Sequence, residues 1–277
     1  MKRYLFLVTL SFYLHICFSQ NLGGIDSLSK YSYLLEVCTP KANNCYLNAL
    51  ATGFLLKDEN NIYLVSAYHV FTGTNTTSNK KYTPTYKTMV VRIEQNKSGK
   101  NNLVINLESL KEWHKPISAF VTPDVYFYKT ELNPETVHLY SIETILKSNR
   151  DKKNSNREIV SYGYLNYPTD TTNLETYSPL KYLGHLITDS IYLNYSSFKS
   201  IDSLFFVSSP ETFNGASGSP VFFKYTKGKG KKKKEWLEFA GIMLAADPLR
   251  RVAIILKKEI FINKFEKYKK SHINGVL

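Results

Sequence analysis

Cysteine is scarce in this sequence: Cys17, Cys38 and Cys45 are its whole complement. No second Cys/His pair accompanies Cys38 and Cys45, which argues against a structural zinc site. No segment repeats at a spacing of about 20 to 50 residues, so solenoid and propeller arrays are set aside. Long apolar runs are missing except for one near the N-terminus, from Tyr4 to about Phe18. That run is too short and too early for a convincing membrane span, and no other stretch could cross a bilayer. Acidic side chains are few: 23 Asp and Glu against 36 Lys and Arg leave a formal net charge of +13. The remaining composition, 43% apolar and 21% charged over 277 residues, is that of a globular chain and not a disordered one. The length suits one large domain or two small lobes, with enough chain for a buried core.

The N-terminal run has the make-up of a signal peptide over residues 1–19. Lys2 and Arg3 form a basic start, the apolar stretch follows, and Cys17 and Ser19 are small residues placed three and one positions before a cleavage site. The mature chain then begins near Gln20, is secreted or periplasmic, and carries +11 instead of +13 once Lys2 and Arg3 are gone. A lipoprotein reading, with Cys17 acylated, asks for a small residue before it, and Ile16 is not small. Cys38 and Cys45 are left as an even pair flanking a six-residue segment. In an exported chain that spacing predicts a disulfide, contributing roughly 2–3 kcal/mol in the chain-entropy model; two free thiols are the alternative. Much of the positive charge is local, with six lysines between Lys227 and Lys234, interleaved with Gly228 and Gly230. Such a run forms a solvated loop or an anion-binding patch for acidic lipid, acidic substrate or nucleic acid. No aromatic residue interrupts the lysines, so nothing local supports stacking on bases, and no specific nucleic-acid partner is expected.

The periodicity predicts an all-β chain. Short runs rich in Val, Ile, Tyr, Phe and Leu recur at residues 33–37, 51–56, 62–67, 89–94, 125–128, 158–163, 203–207, 221–223 and 252–256, separated by turn-forming clusters. The polar stretch 149–156 divides the chain into two β-rich halves, 20–148 and 149–277. Residues 257–268 place Ile260, Phe261, Phe265 and Tyr268 near helical spacing among lysines, which predicts an amphipathic helix packed on the body.

Three segments have chemical potential. In Asn214-Gly215-Ala216-Ser217-Gly218-Ser219-Pro220, glycines flank a serine just ahead of an apolar strand. A nucleophilic serine needs a sharp turn to aim its hydroxyl and nearby N–H groups to meet the oxyanion that forms. An ordinary Gly/Ser turn fits the same residues. In Tyr63-Leu64-Val65-Ser66-Ala67-Tyr68-His69-Val70 a core strand ends in a histidine, rigid enough to serve as a general base or simply a structural side chain. Ala51-Thr52-Gly53-Phe54-Leu55 reads as the preceding strand of the same hairpin. In Pro123-Asp124-Val125-Tyr126 an acid precedes a strand; it can orient an imidazole or end a turn.

Taken together, the order His69, Asp124, Ser217, with the first two in one half and the third in the other, resembles the chymotrypsin/trypsin-like serine proteases. The resemblance spans about residues 28–270, and its specific content lies in the three motif regions. It implies two six-stranded antiparallel β-barrels with a C-terminal helix, a catalytic triad of His69, Asp124 and Ser217 at their interface, and hydrolysis of protein or peptide substrates with no cofactor. The Gly-Ser-Pro ending of the serine segment looks like the bacterial branch that includes glutamyl endopeptidases. The same resemblance places the oxyanion hole at the N–H groups of Gly215 and Ser217, and the substrate-pairing strand at Gly241-Ile242-Met243-Leu244-Ala245-Ala246. Three departures follow. Ala216 replaces an acid that pairs with a newly cut N-terminus, so that activation switch is absent. Met243 replaces the histidine that reads glutamate. Leu244 replaces a serine that often supports the catalytic acid. For specificity, Glu211 lies six residues before Ser217, an offset used for an acidic pocket floor; the alternative is an apolar pocket lined by Leu244, Ala245 and Ala246. His185 is expected inside a strand, buried or lining the pocket. A trypsin-fold binding protein without activity, and a basic anion-binding protein acting through the 227–234 loop, are the rival readings.

Overall fold

A computed structural model describes residues 25–41, 44–72, 88–93, 101–110, 124–147, 158–164, 178–187, 204–208, 215–227, 234–247 and 251–273. The segment expected to be a signal peptide (residues 1–19), the 149–156 stretch and Glu211 lie outside them. A 3-10 turn at Ile25–Tyr31 opens the described chain. It is followed by β1 (Tyr33–Lys41), β2 (Asn44–Asp58), β3 (Asn61–Ser66), α1 (Tyr68–Thr72), β4 (Thr88–Ile93), β5 (Asn101–Asn106), β6 (Tyr126–Thr130), β7 (Tyr140–Ser141) and α2 (Ile142–Leu146). The second half contains β8 (Glu158–Gly163), β9 (Leu180–Ile187), β10 (Leu204–Ser208), β11 (Pro220–Lys227), β12 (Lys234–Asp247), β13 (Val252–Lys257) and α3 (Lys258–Ile273).

Strands β8 to β13 close into a six-stranded antiparallel barrel in the order β10-β13-β12-β11-β8-β9. Strand alternation splits its side chains into two rows. Ile159, Tyr182, Val207, Val221, Ala253 and Ile255 pack together in one apolar cluster, whereas Val160, Phe206, Phe222, Ile254 and Leu256 belong to another. That second cluster also contains Phe54, Tyr63, Val65 and Phe127 of the first half, so the two halves share a core. The first half is a seven-stranded sheet, β5-β4-β1-β2-β3-β6, with β7 added parallel to β2. It curls around its own core of Leu35, Leu55, Leu64, Phe71, Met89 and Ile105. Of the two expected barrels, the second closes and the first is a curled half-barrel: among the described residues β5 and β6 end the sheet and do not pair with each other. The architecture matches the chymotrypsin-like class nonetheless, all-β with a C-terminal helix.

The helix explains how the halves are joined. Phe261 and Phe265, four residues apart, fall on one face of α3 and are fully buried. Phe265 meets Tyr63 edge-on at 5.1 Å and Phe127 at 5.1 Å, while Phe261 lies 5.4 Å from Phe127 and 5.3 Å from Phe239 of the barrel. Toward its end, the Lys269 ammonium lies 2.8 Å from the Asp58 carboxylate at the β2–β3 turn. The helix runs five residues beyond the expected boundary of 268, to Ile273. Cys38, buried on β1, is disulfide-bonded. The β1–β2 register sets Cys45 opposite Pro40, two residues along the hairpin from Cys38; the Cys45 side chain lies outside the described residues.

Two outcomes are expected. Phe265→Ala should lower stability by about 3–5 kcal/mol, the usual range for emptying a fully buried phenylalanine site, read from the urea unfolding midpoint; a loss under about 1 kcal/mol would contradict the shared core. Mass spectrometry without reductant should find a peptide pair joining Cys38 to Cys45, two hydrogen atoms lighter than the free thiols.

Candidate active site

Strand β3 is buried along all but its first residue and delivers the chain into α1. Within that single turn Tyr68, Val70, Phe71 and Thr72 are buried, and His69 is the residue left partly exposed. The turn is anchored by Phe71 and Tyr68 against the Tyr126 ring, at 4.7 and 6.1 Å, and by the Thr72 hydroxyl donating to the Tyr68 carbonyl. The strand expected to end in His69 stops at Ser66, and His69 lies three residues further on, in a short helix. Because β3 pairs antiparallel with β6, with Ser66 opposite Tyr126, the residues just before β6 lie beside those just after β3. This brings Asp124 to His69 across 55 residues of chain.

Asp124 is wholly buried, and its two oxygens accept from the same residue. Oδ1 takes the His69 backbone N–H at 2.9 Å, and Oδ2 lies 2.7 Å from Nδ1. A buried carboxylate requires such donors. With Nδ1 carrying its proton toward Asp124, a neutral ring keeps its lone pair on Nε2, on the opposite edge.

Ser217 lies on a tight turn between two glycines of positive φ, Gly215 at 100° and Gly218 at 91°. The left-handed region is easily reached only without a Cβ. At Gly218 space forbids one as well, since it would fall 2.0 Å from the Thr52 carbonyl oxygen and 2.1 Å from Ser66 Oγ. The turn is bonded to both halves. Gly218 N–H donates to the Met243 carbonyl at 2.8 Å, and Met243 N–H to the Ser219 carbonyl at 2.9 Å, tying it to β12. Thr52 N–H donates to the Ser217 carbonyl at 3.1 Å, tying it to β2. The Ser217 hydroxyl donates to the Leu244 carbonyl at 3.2 Å. Contact with Ser66, three residues before His69, seats the serine turn and the histidine turn on the same pair of strands.

The remaining expected residues divide. Ala216 is buried in the barrel cluster with Tyr182, Val207 and Met243, so the turn is held there by apolar packing. Leu244 is placed differently from the pocket expectation. Its side chain is fully buried in the core shared by the halves, and its carbonyl is the group that reaches Ser217, at a bulge between Met243 and Ala245. Ala245 and Ala246, half-buried, pair with Ile254 and Ala253 of β13. His185 is exposed on β9, neither buried nor part of this cluster. Lys227 and Lys234 pair across the β11–β12 hairpin, and the lysines between them lie outside the described residues.

Sequence reasoning missed Thr52, Ser66 and Tyr164. The Ser66 hydroxyl donates to the Thr52 carbonyl at 2.6 Å, and the Thr52 hydroxyl donates to Gly215 and accepts from Tyr164. The available signal was a pair of hydroxyl residues in otherwise apolar strand segments, 50–56 and 62–67. No protein-family model matches the chain, and no curated protein matches it in sequence.

Gly218→Ala tests the fit of the turn. The added methyl meets backbone and a locked hydroxyl at a disfavoured φ, so stability should fall by at least about 2 kcal/mol, measured by denaturant or thermal unfolding. A variant as stable as the parent would mean that the turn is not pressed against Thr52 and Ser66.

Proposed function

We propose that this chain is an exported serine endopeptidase that hydrolyses peptide bonds through an acyl-enzyme, with Ser217 as nucleophile, His69 as general base and acid, and Asp124 as the residue that orients His69. The observation that carries this reading is the double hold of buried Asp124 on His69, beside a glycine-flanked serine turn. A structural histidine does not need a buried carboxylate on its ring nitrogen. A base that must accept a proton on Nε2, and then carry a positive charge, does.

The reaction runs as follows. The Ser217 hydroxyl rotates from the Leu244 carbonyl toward His69 Nε2 and surrenders its proton as Oγ bonds to the scissile carbonyl carbon. The carbonyl electron pair moves onto oxygen, where the N–H groups of Gly215 and Ser217 receive it. As the tetrahedral intermediate collapses, the carbon–nitrogen bond breaks and His69 returns the proton to the departing amine. Water, deprotonated by His69, then releases the acyl group and regenerates Ser217. Each half-reaction is neutral overall and requires no cofactor. Ala245 and Ala246 favour a pocket for medium apolar side chains, because their short side chains leave room beside β13 and bring no charge. The fold also serves proteins that bind without cleaving, and the test separates the two.

Ser217→Ala should reduce turnover by about 10⁴–10⁶-fold while the unfolding midpoint stays put. A fluorophosphonate probe should label the parent at Ser217 and leave the variant unlabelled. A parent chain that is folded, unlabelled and inert toward a peptide library would overturn the enzyme reading in favour of the binding one.

A further inference from the structure

We infer that Thr52 is a positioning residue, whose hydroxyl holds the Gly215 peptide in the orientation that Ser217 chemistry needs. The inference deepens the hydrolase reading and rests on it. Thr52 stands among Leu50, Ala51, Gly53, Phe54 and Leu55 on β2 and is fully buried. A buried hydroxyl in an apolar strand is costly unless its proton and lone pairs are used. Here the directions of both bonds are forced. The Tyr164 N–H can only donate, at 2.8 Å, and the Gly215 carbonyl can only accept, at 2.9 Å, so Oγ1 accepts from the first and donates to the second.

The backbone of the same residue completes the hold. β2 pairs with β3 only from Phe54 onward, opposite Val65. At Thr52 that edge of β2 is free for another partner, and its N–H goes to the Ser217 carbonyl while its carbonyl accepts from Ser66 Oγ. One residue of the first half therefore touches the serine turn at Ser217 and Gly215, presses against Gly218, and reaches Tyr164 just after β8. Gly215 is the weak point of the turn. At φ 100° and with no Cβ, its peptide is free to rotate unless something holds the carbonyl. The Thr52 hydroxyl supplies that hold. The held carbonyl belongs to the 215–216 peptide, which links the two peptides that carry the Gly215 and Ser217 N–H groups, so its rotation would change the spacing and aim of those two donors relative to one another without moving Ser217 out of reach of substrate. Loss of the hydroxyl should then appear in kcat and spare KM.

The test compares Thr52→Val and Thr52→Ala, which remove the hydroxyl, with Thr52→Ser, which keeps it. In the full chain, Val and Ala should lower kcat by about 10–100-fold with KM within about threefold of the parent, and Ser should stay within about threefold in both. Amide hydrogen exchange across residues 215–219 should quicken in Val and Ala beyond any change in the barrel strands, and not in Ser. Two results overturn the inference: parental kcat and exchange in Val and Ala, or a Ser variant that falls as far as they do, which would assign the effect to the methyl group. A parent with no turnover and no probe labelling refutes the hydrolase reading instead, and the exchange comparison then still decides whether Thr52 holds the turn.

Discussion

A carboxylate removed from water has to be met by donors, and in this chain both that Asp124 is seen to accept come from His69. The arrangement constrains far more than two side chains. Asp124 must arrive at the end of β3, so β6 must run antiparallel to it in a register that sets Tyr126 against Ser66. The aromatic contacts of Tyr126 with Phe71 and Tyr68 then lock the helical turn that presents the histidine. A shift of one residue in that register would turn Tyr126 to the other face of the sheet, costing the turn its anchor and the carboxylate its donors together. Electrostatics and apolar packing are satisfied by one alignment, which leaves the imidazole few alternatives.

The serine turn is constrained from a second direction. It belongs to the barrel by sequence and by its bonds to Met243, but its outer surface is fitted to Thr52 and Ser66 of the half-barrel. The junction between the halves is therefore mixed. On one side it is dry, with Phe54, Phe127, Phe239, Phe261 and Phe265 in contact; on the other it is a small network of backbone groups and hydroxyls. The apolar side supplies most of the free energy of association, since area removed from water counts for more than neutral hydrogen bonds exchanged with solvent. The polar side has directionality, and it sets how the halves sit on one another.

Much of this was readable beforehand. The strand at Glu158–Gly163 coincides with the expected run, and those at Asn61–Ser66, Thr88–Ile93 and Val252–Lys257 differ from theirs by a residue or so, because buried strands rich in Val, Ile and Tyr announce themselves. The three chemical segments were legible for a similar reason: each couples an apolar strand with one residue that does not belong in it. The half-barrel was not legible, because closure depends on which edges meet and not on any local pattern. β5 at Asn101–Asn106 was missed, its apolar run Leu103-Val104-Ile105 being only three residues long between asparagines, with Val104 facing solvent. Thr52 escaped notice because threonine is at home in strands; only the geometry reveals that its hydroxyl is used. Leu244 was judged by its side chain, whereas a bulge turns its carbonyl toward the site, and backbone groups carry no residue-type signature.

The placement of α3 has a temporal side. A chain is made from its N-terminus, and the half-barrel holding His69 and Asp124 is synthesised well before the barrel. Yet one face of that half-barrel, around Tyr63 and Phe127, is covered by Phe261 and Phe265, which follow the barrel in sequence. Until they appear, the first half is left with a bare aromatic face, and Thr52 and Ser66 have no turn to receive. Asp124 and His69 are thus made early and Ser217 late, and the junction that joins their two halves is sealed by a segment made later still. On the proposed hydrolase reading, an assembly order of this kind keeps the reactive centre unformed while the nascent chain is itself an unfolded polypeptide within its own reach.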